Sequence, residues 1–201
     1  MRREMDEKKI CFIIYKDKNA KYSDNLEYIR SLNIPDGMQI ECLSIEDNES
    51  KFSAYNEGTE ASDAKYKVYM ECSTYIVNKN FIYDILKIFD CDKQATVIGL
   101  VGQKGVSTQK EEAVIYGKQL EDRYGYGVQI KEYHDIRNLA EEVDYIDQML
   151  VITAKDVRWG MDLCQAHDQY LVLQQIGDVQ IKEKMVVARQ TKPWCYKDTP
   201  V

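Results

Sequence analysis

Glu71-Cys72-Ser73-Thr74 interrupts an apolar stretch with a carboxylate, a thiol and two hydroxyls, and Asp144 and Asp147 stand just before the apolar run MLVIT. A carboxylate within hydrogen-bond reach of a hydroxyl can act as a general base for attack by that oxygen. Asp147 and Asp144 both offer one, and Asp144 suits a solvated strand start equally well. Cys72 would need a neighbouring base or cation to become a thiolate. Glu71 beside it works the other way, so a nucleophilic or redox role is set aside. His167-Asp168 holds a base and an acid, but adjacent helical residues diverge by about a third of a turn, so the pair need not act together.

The six cysteines, Cys11, Cys42, Cys72, Cys91, Cys164 and Cys195, contain no CxxC pair. Scattered thiols in or beside apolar segments read as reduced and mostly buried. A zinc site needs clustered ligands, and His134 and His167 are the only histidines. Gly99, Gly102 and Gly105 do not open a helix after the first strand, so they read as close packing and turn and not as a phosphate-cradling loop. Trp159, Trp194 and fifteen tyrosines could stack on sugar rings. Aromatic side chains more often anchor a core, and that reading is preferred.

These residues need a frame. KICFIIY (Lys9 to Tyr15) is a continuous apolar run, the pattern of a strand buried on both faces of a parallel sheet. A helix capped by Ser23 or Asp24 runs to about Leu32, and Pro35-Asp36-Gly37 supplies the turn. QIECLSI (Gln39 to Ile45) is a second strand, with a helix starting near Ser50 or Ser53. YKVYM (Tyr66 to Met70) is a third strand, ending at the polar break, and a helix follows from about Asn80 to Phe89. TVIGLV (Thr96 to Val101) and VDYIDQMLVIT (Val143 to Thr153) read as the fourth and fifth strands. The tyrosine-rich stretch between Lys110 and Asn138 reads as a helix plus an irregular hairpin. Leu163 to Ile176 has helical spacing, with Gly177 as its stop, and Val179 to Ile181 and Met185 to Ala188 are short strands. Strands alternating with helices predict an α/β fold in one domain over residues 1–201.

Charged residues make up 30% of the 201 and apolar ones 44%, which excludes a disordered chain. A net charge of −7, with bases interspersed among acids, argues against nucleic acid as a partner. The sequence shows no transmembrane run and no signal-peptide core, so a cytoplasmic protein is expected. The amphipathic Leu163 to Ile176 helix could support a homo-oligomer.

SAYNEG (Ser53 to Gly58), DAKYKVYM (Asp63 to Met70), IVNKNFIYDILKIF (Ile76 to Phe89), IGLVG (Ile98 to Gly102), VDYIDQMLVIT and RQTKPWCYKD (Arg189 to Asp198) follow one another in an order that carries a resemblance. The chain resembles the streptomycin-biosynthesis-type glycosyltransferase-like domain, a family-2-like group of GT-A fold, over about Lys9 to Asp198. The resemblance implies a Rossmann-like three-layer sandwich with a mostly parallel central sheet. It also implies a UDP- or GDP-linked nucleotide sugar as donor and a divalent metal, manganese or magnesium. By the same resemblance Tyr15, Asp47 and Asn56 fall on the nucleotide side and Glu71 on the metal. Asp147 falls on the acceptor side as the catalytic base.

The sequence also departs from that family's pattern. Glu71-Cys72-Ser73-Thr74 stands where the family carries His-Gln-Asp-Val, so Ser73 puts a neutral hydroxyl in place of the acid that a hard cation prefers. Gln148 replaces a glycine after Asp147, Tyr196 replaces a histidine after Trp194-Cys195, and the chain looks shorter between Trp159 and Gly177. The departures fall at the expected carboxyl ends of the strands, where open α/β sheets bind ligands. Two functions are therefore expected. One is an inverting glycosyltransferase with metal-dependent activity reduced or lost, and the other is a non-catalytic nucleotide- or glycan-binding scaffold.

Overall fold

The computed structural model describes residues 4–16, 22–46, 50–105, 113–123, 127–159 and 184–199. Strand β1 (Asp6–Tyr15) carries the apolar run, and Ile10 through Ile14 are fully buried. Helix α1 (Tyr22–Arg30) leads to β2 (Gln39–Ile45), and α2 (Lys51–Ala61) leads to β3 (Ala64–Glu71). Both β2 and β3 pair with β1 in parallel. Ser50 caps α2 by accepting the Ser53 N–H at 3.1 Å, which satisfies one of the donors a helix start leaves unpaired.

After the polar break come β4 (Thr74–Ile76), α3 (Phe81–Cys91), β5 (Ala95–Gly99) and β6 (Val101–Lys104). Phe81, Ile82, Ile85, Ile88 and Phe89 form one buried face of α3. With α1 that face packs against Ile10, Phe12 and Ile14, while α2 packs Phe52, Ala54 and Tyr55 against Cys11 and Ile13 on the other side. Each Ile or Phe side chain among these taken fully out of water contributes about 2 kcal/mol relative to exposure. Helices on both faces of one sheet make the expected three layers.

The rest of the chain supplies β7 (Val114–Arg123), β8 (Val128–Glu132), β9 (Ala140–Val143), β10 (Tyr145–Ile146), β11 (Leu150–Thr153), β12 (Lys184–Ala188) and β13 (Cys195–Thr199). The central sheet has the order β2-β1-β3-β11-β5-β12-β9. It is mostly parallel, with β11 running against β3 and β5 and β9 running against β12. A second sheet has the order β10-β6-β7-β13-β4, with β8 also on β7. No helix among the described residues is long and apolar enough to cross a membrane.

Three expectations change. Between Lys110 and Asn138 the described residues form the β7–β8 hairpin and no helix. The buried positions on β7 alternate at Gly117, Gln119 and Glu121, so its inner face is small or polar and shows no apolar period to read. Val143 to Thr153 is three strands, because the Asp147 carboxylate accepts the Met149 N–H at 2.7 Å and turns the chain between β10 and β11. Thr96 to Val101 breaks at Leu100 into β5 and β6. The expected 163–176 helix and 179–181 strand lie outside the described residues.

Two glycines enforce this layout. A Cβ on Gly99 would lie 1.9 Å from Ile146, so only glycine lets β10 cross β5 closely enough to bring Asp147 to the sheet. Gly117 sits at φ 109 with the Leu100 carbonyl oxygen 2.0 Å from where a Cβ would stand, at the corner where β7 leaves β6 for β8 and β13.

Candidate functional site

The carboxyl ends of β1 and β3 lie side by side, with Tyr15 the register partner of Glu71. The turn that follows β3 is tied down from several elements. Cys72 N–H donates to the Tyr15 carbonyl at 2.9 Å. Buried Asn25 of α1 donates its side-chain amide to the Thr74 carbonyl at 2.6 Å and reaches the Cys72 carbonyl at 3.4 Å. Asp198 N–H donates to the Ser73 carbonyl at 2.9 Å, which docks β13 on the turn, with Lys197 opposite Thr74. The Thr74 hydroxyl donates to the Met149 carbonyl at 3.4 Å, joining this turn to the Asp147 turn.

Two ammonium groups converge on Glu71. Lys51, the first residue of α2, is 3.0 Å from Oε1, and Lys197 of β13 is 3.1 Å from Oε2. Burial works against ionising Glu71, but the charges and hydrogen bonds of Lys51 and Lys197 outweigh it and hold the carboxyl below the usual glutamate value. Asp147 shares this field and responds in the opposite direction. Burial raises its carboxyl above the usual aspartate value against the Met149 N–H, Lys197 and Lys51, and the Glu71 charge adds to the rise. Tyr55, 2% exposed, sits in the core with its ring 5.3 Å from Tyr69 and 5.0 Å from Trp159. Its hydroxyl has no hydrogen-bond partner among the described residues, and its proton is held tightly by burial and then by the Glu71 charge.

The structure thus brings Tyr15, Glu71 and Asp147 to one end of the sheet. Both polar atoms of the Asn56 amide bond the Trp159 backbone at 2.8 Å, so Asn56 clamps that tryptophan while each atom keeps spare hydrogen-bonding capacity. Asp47 and His167 lie outside the described residues. Asp144 caps a turn by accepting the Gly105 N–H at 2.7 Å, which leaves Asp147 as the acid that reaches the site. Trp159 stacks on Phe52 at 5.8 Å and Trp194 packs edge-on against Phe81 at 5.9 Å, and both tryptophans are buried core. Cys11, Cys42, Cys72, Cys91 and Cys195 are unbridged, and burial pushes the Cys11 thiol up to about 12.

A resident manganese or magnesium ion is poorly matched by these donors. No three His, Cys, Asp or Glu side chains gather for a metal among the described residues. Both Glu71 oxygens already face ammonium groups, and the Ser73 hydroxyl brings no charge.

Sequence reasoning did not single out Asn25, Lys51 or Lys197. Asn25 lies four residues before Ile29 on the buried face of α1, a polar residue where the period calls for an apolar one. Lys51 opens a helix whose first turn has no acid, against the helix dipole. No local signal marks Lys197.

A mixed sheet between helices, with its polar site at the strand ends, defines a fold similar to that of GT-A glycosyltransferases. Residues 11–200 match the glycosyltransferase-like family, and the chain belongs to it. Solved structures of S. aureus TarS share the fold. The 1-349 fragment in complex with UDP superposes with a TM-score of 0.52 at 12% identity, over 95% of this chain and 60% of that one. The same fragment in complex with UDP-GlcNAc gives 0.55 at 11%, over 95% and 58%. The longer TarS structure gives 0.56 at 10%, over 95% and 37%, so this chain spans about 60% or less of these relatives. No curated protein matches the sequence.

Proposed function

We propose that this chain is a single glycosyltransferase domain of the streptomycin-biosynthesis type that binds a UDP- or GDP-linked sugar and transfers it, with inversion, to an acceptor hydroxyl. Tyr15, Asp47 and Asn56 serve the nucleotide side, and Asp147 is the base. The unbridged thiols among the described residues favour a cytoplasmic setting. The seat of Asp147 carries the reading. Oδ1 is fixed by the Met149 N–H, and burial holds the carboxyl poised above its usual value at the strand ends. As the acceptor oxygen attacks the anomeric carbon, Asp147 takes its proton. The new C–O bond forms opposite the leaving group, the sugar–phosphate bond breaks, and the nucleoside diphosphate leaves with the electron pair.

Asp147→Asn tests the assignment. With UDP-GlcNAc as a first probe donor, release of UDP is expected to fall by about a hundredfold or more while calorimetric affinity for UDP stays within a factor of about three. Unchanged UDP release would remove Asp147 from the reaction. In the transferase reading metal-dependent activity is reduced or lost around a degenerate metal motif; the second reading, a non-catalytic nucleotide- or glycan-binding scaffold, is favoured by the neutral Ser73 hydroxyl and by the two ammonium groups that occupy Glu71. It expects binding without turnover of any donor.

A further inference from the structure

Lys51 and Lys197 come from elements 20 and 126 residues away from Glu71 in sequence, yet both reach the same carboxylate. A lysine that only secures a fold needs one acid, and here two lysines share one. Glu71 is the one carboxylate that both lysines touch directly, with Asp147 in the same field but in no ion pair with either, and the lysine side chains are only partly covered, with Lys51 25% and Lys197 30% exposed. The N-terminus of the eleven-residue α2, with its positive dipole end, stands at the same place. The buried Tyr55 hydroxyl, a donor without a partner among the described residues, lies within reach of the Glu71 charge. A divalent cation placed on Glu71 would have to displace or repel two ammonium groups. A diphosphate would instead meet donors already gathered for it.

We infer that Lys51 and Lys197 take the place of a divalent cation: they bind the diphosphate of the nucleotide sugar directly, and Glu71 is the resident anion that the diphosphate displaces. The inference rests on the nucleotide-sugar reading above and goes beyond it by naming how the diphosphate charge is met. In transfer, the same ammonium groups would stabilise the charge that develops on the departing diphosphate, as a Lewis acid does elsewhere.

Calorimetry of the full chain with UDP, GDP, UMP and GMP, in EDTA and then in excess magnesium or manganese, tests this. The expected result is binding of UDP or GDP in EDTA, with less than a twofold change on adding metal. Lys51→Ala and Lys197→Ala should each weaken the diphosphate about tenfold and the monophosphate less than threefold, which a merely structural role would not do. Glu71→Gln should tighten the diphosphate in EDTA, because it removes the competing anion. Diphosphate affinity that rises tenfold or more with metal, and loses that rise in Glu71→Gln, would overturn the inference and leave the nucleotide reading standing. No nucleotide binding in any condition would overturn both. The wild-type comparison with and without metal needs no substitution, so an unfolded variant does not blunt it.

Discussion

Strand β3 carries two charged side chains four residues apart, and the clusters built on them are balanced differently. Lys67 is fully buried, pairs with Asp156 and donates to the Ala64 carbonyl at 2.6 Å, one cation against one anion. Glu71, at the other end of the strand, is half-buried and faces two cations. Burying a charge is costly unless it is matched, so the Lys67 cluster is closed to any further partner. The Glu71 cluster brings two partly exposed ammonium groups onto one carboxylate, with Asp147 in the same field, which suits a place where an anionic ligand exchanges for Glu71. The two teach that ion pairs on one strand can be told apart by the number of cations on each carboxylate and by exposure together.

The largest effect should come from Gly99→Ala, which separates the Asp147 arm of the site from the lysine arm. The added Cβ collides with Ile146 and displaces the Asp147 turn, at a cost of about 3 kcal/mol in urea unfolding, while Glu71, Lys51 and Lys197 are untouched. Turnover should therefore fall further than UDP affinity, and equal losses would show that the two arms are not separate.

Next, Asp156→Ala should cost about 2 kcal/mol, less than for a fully buried pair because Asp156 is 45% exposed. Lys67→Met, which removes the buried charge, should be nearly neutral. A cost for Asp156→Ala below about 0.5 kcal/mol would break the view of Lys67 as a closed lock. Glu71→Gln should shift stability by less than about 1 kcal/mol, its main effect being on binding.

The smallest effects are in pH dependence, and their signs are opposite. Glu71 is held below its usual value, so its stabilisation is present above the unfolded glutamate pKa and is lost as pH falls through the depressed folded value. Asp147 is raised, so its contribution is full below the unfolded aspartate pKa and is lost as pH rises through the folded value. Urea unfolding from about pH 3 to 7, spanning the ordinary carboxylate range, should show Glu71→Gln weakening the acid-side loss. Asp147→Asn should gain on the wild type as pH rises above about 4. Parallel curves for both variants would remove the contrast between the two acids.

How much was legible follows from where each signal resides. The strands β1, β2 and β3 and the helices between them announce themselves in runs such as KICFIIY and in caps such as Ser50, because local pattern and burial agree there. The second sheet was harder. Its central strand turns Gln119 and Glu121 inward, and Glu121 is balanced by Lys131 from the neighbouring strand, a partnership no window of sequence contains. At the site, Tyr15, Glu71 and Asp147 are nominated through the family resemblance, each at an end of an apolar run. The choice between Asp144 and Asp147 depended on which carboxylate caps the Gly105 turn.

The sequence by itself determined the α/β class, the burial of β1 on both faces and the break after β3, since those rest on period and composition, which are local properties of the chain. Only the tertiary structure decided that Lys51 and Lys197 meet at Glu71. That meeting depends on α2 packing over β1 and on β13 docking on the Ser73 carbonyl. Charge interactions act through space over a few ångströms, and which side chains come that close is fixed by sheet register and helix placement rather than by distance along the chain.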